Sequence, residues 1–255
     1  MLKFLLKTLP PSFIKQFLIK LGRFYERNSK RFPSQEGSFH TLKALGWNPK
    51  KCIDIGAYHG EWTEMFLSIF PETSVLMIEA QESKASILAE IVLKHKKLSY
   101  EVALLGATNQ KKVVFVEMET GSSVFEELSH YPRKRVVKSL TTLDSLVQNL
   151  PQFADSSILK IDTQGYEMEV LKGSLSLLKN LEIIILEVSL LSINSGAPLF
   201  SDIVYFMTQH HFKLFDFCSQ IRRKDGVLWQ TDLLFVSESA GLNIEPRLTK
   251  ENWGN

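Results

Sequence analysis

Between residues 51 and 188 the chain alternates short apolar runs with longer amphipathic stretches, and this alternation restricts its architecture more than any other feature. The runs at 52–55, 75–78, 99–105, 158–161 and 183–188 are rich in Ile, Leu and Val. They are the length of strands, and their near-continuous apolarity suits strands buried on both faces of a parallel sheet. Helices are expected between them at 61–70, 82–97 and 166–178. Repeated strand–helix–strand units wind a parallel sheet with helices on both faces. Segment 112–118 reads as an extra strand, 140–148 as a short capped helix and 202–210 as a helix. Segments 213–217 and 232–236 suit a closing antiparallel pair. With no repeat, low-complexity tract or linker in view, the economical division is one domain over 49–240, a helical arm over 1–48 and a tail over 241–255.

Charge is distributed unevenly. Residues 1–31 carry Lys3, Lys7, Lys15, Lys20, Arg23, Arg27, Lys30 and Arg31 against Glu26 alone, whereas the rest of the chain has 22 basic and 27 acidic residues. An acidic body argues against nucleic acid as a partner, because phosphates would be repelled. Within the arm, Ile14, Phe17, Leu18 and Leu21 form an apolar stripe at helical spacing. Two readings stay open: the stripe packs against the domain, or it lies on an anionic membrane surface. A third helix is expected at 38–45. Cys52 and Cys218 have neither metal-ligand spacing nor the number for a disulfide framework. No run approaches the 18 apolar residues of a membrane span, and lysines break up the N-terminal apolar stretch, which argues against a signal peptide. The expected location is the cytoplasm, with peripheral contact at the inner face of a membrane if the arm binds lipid.

Three segments carry chemistry. Ile53-Asp54-Ile55-Gly56-Ala57-Tyr58-His59-Gly60 joins an expected strand to an expected helix. Its small residues let the backbone turn sharply and approach a ligand at a helix N-terminus. The spacing G-x-x-x-G departs from the dinucleotide pattern G-x-G-x-x-G, which weakens the case for NAD or FAD. Glu79 closes the second strand, where such folds place an acid that can accept both hydroxyls of a ribose. The third segment, Leu159-Lys160-Ile161-Asp162-Thr163-Gln164-Gly165-Tyr166-Glu167, places Asp162 at a strand's carboxyl end, where open α/β sheets bind ligands. Lys160 reads as structural, and Gly173 in the following helix suggests close packing.

Together with Ile78-Glu79-Ala80-Gln81, Leu143-Asp144-Ser145-Leu146 and Leu186-Glu187-Val188, these segments resemble the FkbM family of S-adenosylmethionine (SAM)-dependent methyltransferases. The resemblance implies an α/β, Rossmann-like class I methyltransferase fold: a mostly parallel seven-stranded sheet with an antiparallel last strand and helices on both faces. It implies SAM as cofactor and a hydroxylated small-molecule or glycan acceptor. On its pattern Asp54, Gly56, Ala57 and Gly60 cradle the methionine end of SAM, Glu79 holds the ribose, and Ala80 and Gln81 flank the adenine. Tyr58 stands where many relatives carry Asn.

Methyl transfer from a sulfonium is an in-line displacement, so the protein's task is to position two reactants and exclude water. A sugar hydroxyl is a poor nucleophile, and a base within hydrogen-bond reach assists it. Asp162 is the first candidate, with orientation of the SAM amino group or helix capping as its other readings. His59 in the glycine loop and Glu187 at the next strand end are further candidates, Glu187 also as a support for Asp162. His130, Tyr131 and Arg133 are candidates for a lid. Binding of Mg²⁺ by Asp162 with Glu187 is the alternative to these roles, but the sequence lacks a compact carboxylate cluster, so no metal is expected. Methylation of a carboxylate or amine, or SAM-fold binding without catalysis, are the competing functions.

Overall fold

The computed structural model describes residues 33–125, 133–192, 194 and 196–242. The expectations for the basic arm over 1–31, for the tail beyond 242, and for His130 and Tyr131 lie outside the described residues. Six α-helices are described: α1 (Gln35–Ala44), α2 (Glu61–Ile69), α3 (Ala85–Lys94), α4 (Leu143–Gln148), α5 (Glu167–Lys172) and α6 (Phe200–Gln209). The strands are β1 (Lys51–Ile55), β2 (Ser74–Glu79), β3 (Leu98–Val102), β4 (Leu104–Leu105), β5 (Lys112–Glu117), β6 (Lys134–Thr141), β7 (Ile158–Ile161), β8 (Ile183–Ser189), β9 (Phe212–Phe217), β10 (Ile221–Arg222) and β11 (Leu228–Ser237).

The main sheet runs β10-β11-β8-β7-β1-β2-β3, with β9 also paired to β11. From β3 to β8 all pairings are parallel, and β11 is antiparallel to β8, β9 and β10. The eight strands occupy seven lanes, because β9 and β10 share one edge of the long β11. This is the mostly parallel, doubly wound architecture expected from the sequence.

Burial on both faces follows from the alternation of side chains along each strand. Ile53, Leu76, Ile78, Leu159, Ile161, Ile184 and Leu186 face one core, which α4, α5 and α6 cover. Cys52, Val75, Met77, Ile158, Ile183 and Ile185 face the other, covered by α1, α2 and α3. Phe39 of α1 is fully buried there and meets Trp62, Phe66 and Phe70 edge-on at 5.1–6.3 Å. Helix α1 therefore belongs to the packed body from Gln35 onward, and Ser34 caps it by accepting from the Gly37 amide.

Several sequence boundaries are corrected. The run at 99–105 divides at Ala103, whose N–H reaches Glu79 O, and Leu104–Leu105 leaves to pair with β6. The helix expected at 140–148 is confined to Leu143–Gln148, capped by Thr142. Before it lies β6, antiparallel to β5 with Val114 opposite Val137. The helix expected at 82–97 opens as a 3-10 turn (Glu82–Lys84). The one expected at 166–178 ends at Lys172 with Gly173 as its C-cap, and the chain packs so closely there that a Cβ on Gly173 would lie 2.1 Å from Gly106 O.

Candidate active site

A cavity of about 1230 Å³ lies along the carboxyl ends of the parallel strands, from Ala103 beyond β3 to Ile221 on β10. Its centre is the turn after β1. The N–H groups of Gly56 and Ala57 both reach Ile78 O, and Gly56 sits at φ 75°. A Cβ on Gly56 would stand 1.9 Å from Asp162 O, so the turn's proximity to β7 admits only glycine. Gly60, at φ 82°, begins α2 and packs towards Ile91. Tyr58 has φ 49°, a left-handed conformation in which Asn is commoner than Tyr.

Glu79 holds this turn from the side. Its Oε2 accepts the Tyr58 amide at 2.9 Å and its Oε1 accepts the Gln81 amide at 2.8 Å. Each carboxylate oxygen retains a second lone pair. Next to it, Ala80, Ala103, Leu104, Leu105 and Phe115 give the cavity an apolar wall. Above it, Glu119 Oε2 accepts from Tyr58 Oη at 2.8 Å and Lys84 Nζ at 2.7 Å, while Gln81 Nε2 donates to Glu119 O. Lys84 Nζ also sits 4.4 Å from the centre of the Tyr58 ring. The tyrosine thus makes part of the cavity rim, a role an Asn could not fill.

Beneath the turn, Lys160 is buried within β7. Its ammonium donates to Gly56 O at 2.9 Å and Ile55 O at 3.2 Å. It pairs with Asp54 Oδ1 at 3.1 Å and lies 3.8 Å from Asp162 Oδ2. Burial opposes its charge, but Asp54 and Asp162 more than offset this and hold its pKa above the ordinary lysine value. Asp54 is fully buried and accepts Thr63 Oγ1 at 2.7 Å with its other oxygen.

At the far end the cavity is acidic and amide-lined. Asp162 Oδ1 and Glu187 Oε2 both accept from Gln164 Nε2, each at 2.9 Å, and Gln230 Nε2 adds a second bond to Glu187 Oε2. Burial first, then the neighbouring Asp162, Glu167 and Asp232, push the Glu187 carboxyl well above the usual carboxylate range. The loop after β7 is held by Glu167, whose Oε1 accepts the amides of Thr163 and Gly165 and the Thr163 hydroxyl. Burial raises this carboxyl to about 7.

The structure therefore brings Gly56, Ala57, Glu79, Ala80, Gln81, Asp162 and Glu187 to one cavity. Asp54, expected as a direct contact, is placed under the turn instead, because Lys160 and Thr63 occupy its carboxylate. Gly60 acts in the backbone turn and does not line the cavity. His59 stacks on Tyr58 at 3.8 Å with Nδ1 3.5 Å from Glu61, outside the lining. Arg133 lines the rim. The sequence reading gave Gln164, Gln230 and Trp229 no role, yet all three line the far end. Among the described residues no group of three or more His, Cys, Asp or Glu could hold a metal ion. No described helix is long and apolar enough to cross a membrane.

A mostly parallel sheet with a glycine turn after its first strand and an acid closing its second is the Rossmann-like architecture, in which ligands bind at the carboxyl edge of the strands. The chain belongs to the FkbM methyltransferase family: the Methyltransferase FkbM domain matches residues 54–214. No curated protein matches it in sequence. Solved structures with a similar fold include methyltransferase FkbM from Methylobacillus flagellatus KT (14% identity, TM-score 0.46), over 73% of this chain and 43% of that one. The chain thus spans less than half of that protein. A precorrin-6y C5,15-methyltransferase from Geobacter metallireducens matches at 13% identity and TM-score 0.47, over 83% and 96% of the two chains. The 1,6-didemethyltoxoflavin-N1-methyltransferase of Burkholderia thailandensis, solved with 1,6-didemethyltoxoflavin and S-adenosylhomocysteine, matches at 11% and 0.44 over 90% and 91%.

Proposed function

We propose that this protein transfers a methyl group from SAM to a hydroxyl of a sugar, glycan or glycosylated metabolite. The observation that carries the reading is the two-ended cavity. Its volume exceeds the ~300–1,000 Å³ of a site for one small ligand, which leaves room for a cofactor and an acceptor together. The end formed by β1, β2 and Ala103–Leu105 fits an adenosine. Glu79 offers free lone pairs to ribose hydroxyls, and the apolar wall from Ala80 to Phe115 suits a flat base. Gly56 and Ala57 leave the turn without bulky side chains where the methionine end would pass. SAM supplies the electrophilic methyl on its sulfonium.

The other end suits a polyol. Asp162, Glu187, Gln164 and Gln230 offer planar acceptors and donors, and Trp229 an apolar face. Asp162 faces the cavity beside the turn and takes the proton from the acceptor hydroxyl. A positioned base of this kind contributes about 10²–10⁴-fold to rate.

Calorimetry with SAM and transfer of a labelled methyl to a panel of hydroxylated sugars test the reading. Glu79→Ala should weaken SAM binding at least tenfold, since hydrogen bonds to a charged group are worth about 1.5–3 kcal/mol each. Asp162→Asn should cut turnover within the range above and leave SAM affinity nearly intact. Unchanged affinity in Glu79→Ala would remove that residue from the site. A parallel fall of affinity and rate in Asp162→Asn would make it a cofactor-orienting group.

A further inference from the structure

Gln164 is held in an unusual way. Its backbone has φ 53°, a left-handed conformation rare for a residue with a side chain. Its carbonyl accepts from both Ser123 Oγ and Asn194 Nδ2, each at 2.8 Å. The following Gly165, at φ 100°, leaves no slack: a Cβ there would lie 3.0 Å from Ala197 and 3.1 Å from Asn194. Two segments far away in sequence, at Ser123 and at Asn194–Ala197, thus fix one residue's backbone. The side chain that results spends a single amide nitrogen on two acids, Asp162 from β7 and Glu187 from β8.

We infer that Gln164 is the positioning residue of this site, its side-chain amide holding the carboxyls of Asp162 and Glu187 in fixed relation at the acceptor end of the cavity. The inference rests on the reading of that end as the acceptor subsite. A primary amide nitrogen has two N–H groups, and here one goes to each acid. Asp162 is thereby turned towards the cavity beside the glycine turn, and Glu187 is kept from swinging onto it. The charges around the pair come from every neighbouring element: Asp54 on β1, Lys160 on β7, Glu167 on α5 and Asp232 on β11, directly across from Glu187 in register. Lys160 is the one cation among them, and it lies on the Asp162 side. Among the described residues, Gln164 and Gln230 supply the side-chain donors to Glu187.

The test uses the full chain without cofactor. Titration of the Glu187 carboxyl carbon by ¹³C NMR, assigned through Glu187→Gln, is compared in wild type, Gln164→Leu and Gln164→Glu. Losing the donor removes support for the charged form, so Gln164→Leu should raise the Glu187 midpoint by about one pH unit. Gln164→Glu places a third carboxyl between the two and should raise it further. A merely structural role does not produce that order. Gln164→Asn, a methylene shorter and able to reach only one acid, replaces the Leu variant if that fails to fold. Midpoints within about 0.2 pH unit of wild type in the folded variants would overturn the proposal, the shift expected being several times larger. SAM affinity should stay within about threefold in each variant, since Gln164 touches neither Glu79 nor the glycine turn. A wild-type protein that ignores SAM would sink the cofactor reading and leave the titration to decide this one.

Discussion

Replacing Lys160 with Met tests how the cavity floor is supported. The methionine side chain matches the length of the lysine stem but takes away the ammonium. Asp54, with no exposed surface, would then keep only the Thr63 hydroxyl. Removing one partner of a buried ion pair costs about 3–5 kcal/mol, because the other charge stays buried without compensation. The carbonyls of Ile55 and Gly56 lose their donor as well. Against a stability of about 5–15 kcal/mol for a typical domain, that is a large fraction. At about 2–4 °C per kcal/mol for a domain of this size, the melting temperature should fall by roughly 6–20 °C. The double variant Asp54→Asn/Lys160→Met removes both charges and leaves Asn able to accept from Thr63, so it should recover most of the loss. Thermal unfolding followed by circular dichroism reads both. The reasoning is refuted if Lys160→Met melts within about 3 °C of wild type, or if the double variant is no more stable than the single.

Two further predictions concern the loops. Gly56→Ala should cost appreciably more than Gly226→Ala. Both have positive φ, worth about 1 kcal/mol against a side chain, but only Gly56 meets backbone, whereas Gly226 has nothing within 4 Å of a new Cβ. Chemical denaturation giving equal losses would show that the contact with Asp162 O relaxes freely. For Glu167 the folded carboxyl stands at about 7 against an ordinary 4.5. A raised carboxyl pKa stabilises the fold fully below about pH 4.5 and loses that contribution as pH rises to 7, on the order of 3 kcal/mol in all. All three donors use Oε1, so a proton on Oε2, or Gln in its place, keeps them. Glu167→Gln should therefore fold and lack this slope; equal pH profiles for the two proteins would count against it.

The strands buried on both faces were legible because unbroken Ile, Leu and Val runs have few other uses in a chain of this length. β6 was not. Lys134 and Lys138 share a face with Val136 and Leu140, Val137 stands exposed beside Arg135, and so neither face is continuously apolar; its partner β5 is what makes it a strand. Lys160 carried a signal that could have been used. Two otherwise apolar runs, 52–55 in β1 and 158–161 in β7, each hold one charge, Asp54 and Lys160, of opposite sign. A lysine is almost never fully buried unless paired, so the two strands could have been placed side by side from that alone; the register indeed sets Asp54 against Lys160.

The two ends of the cavity differed in legibility for a physical reason. The end proposed for the cofactor is built mainly within Ile55–Gln81, from one strand–turn–helix and the end of the next strand, so local order in the sequence is nearly the order in space. The end proposed for the acceptor is assembled from β7, β8 and β11 and from the loops around Ser123 and Asn194. Gln164 means nothing in its own segment. It acquires a role only because β8 lies beside β7 and brings Glu187 within 2.9 Å of its amide, and because β11 then delivers Gln230 to the same oxygen. Asp162 alone reads equally well as a base, a cofactor-orienting group or a helix cap, since each needs only an acid at a strand end. What distinguishes it in the fold is the shared amide, which ties one of its oxygens through Gln164 to Glu187 on β8. A helix cap would instead spend its oxygens on the amides just after it, and here those of Thr163 and Gly165 go to Glu167.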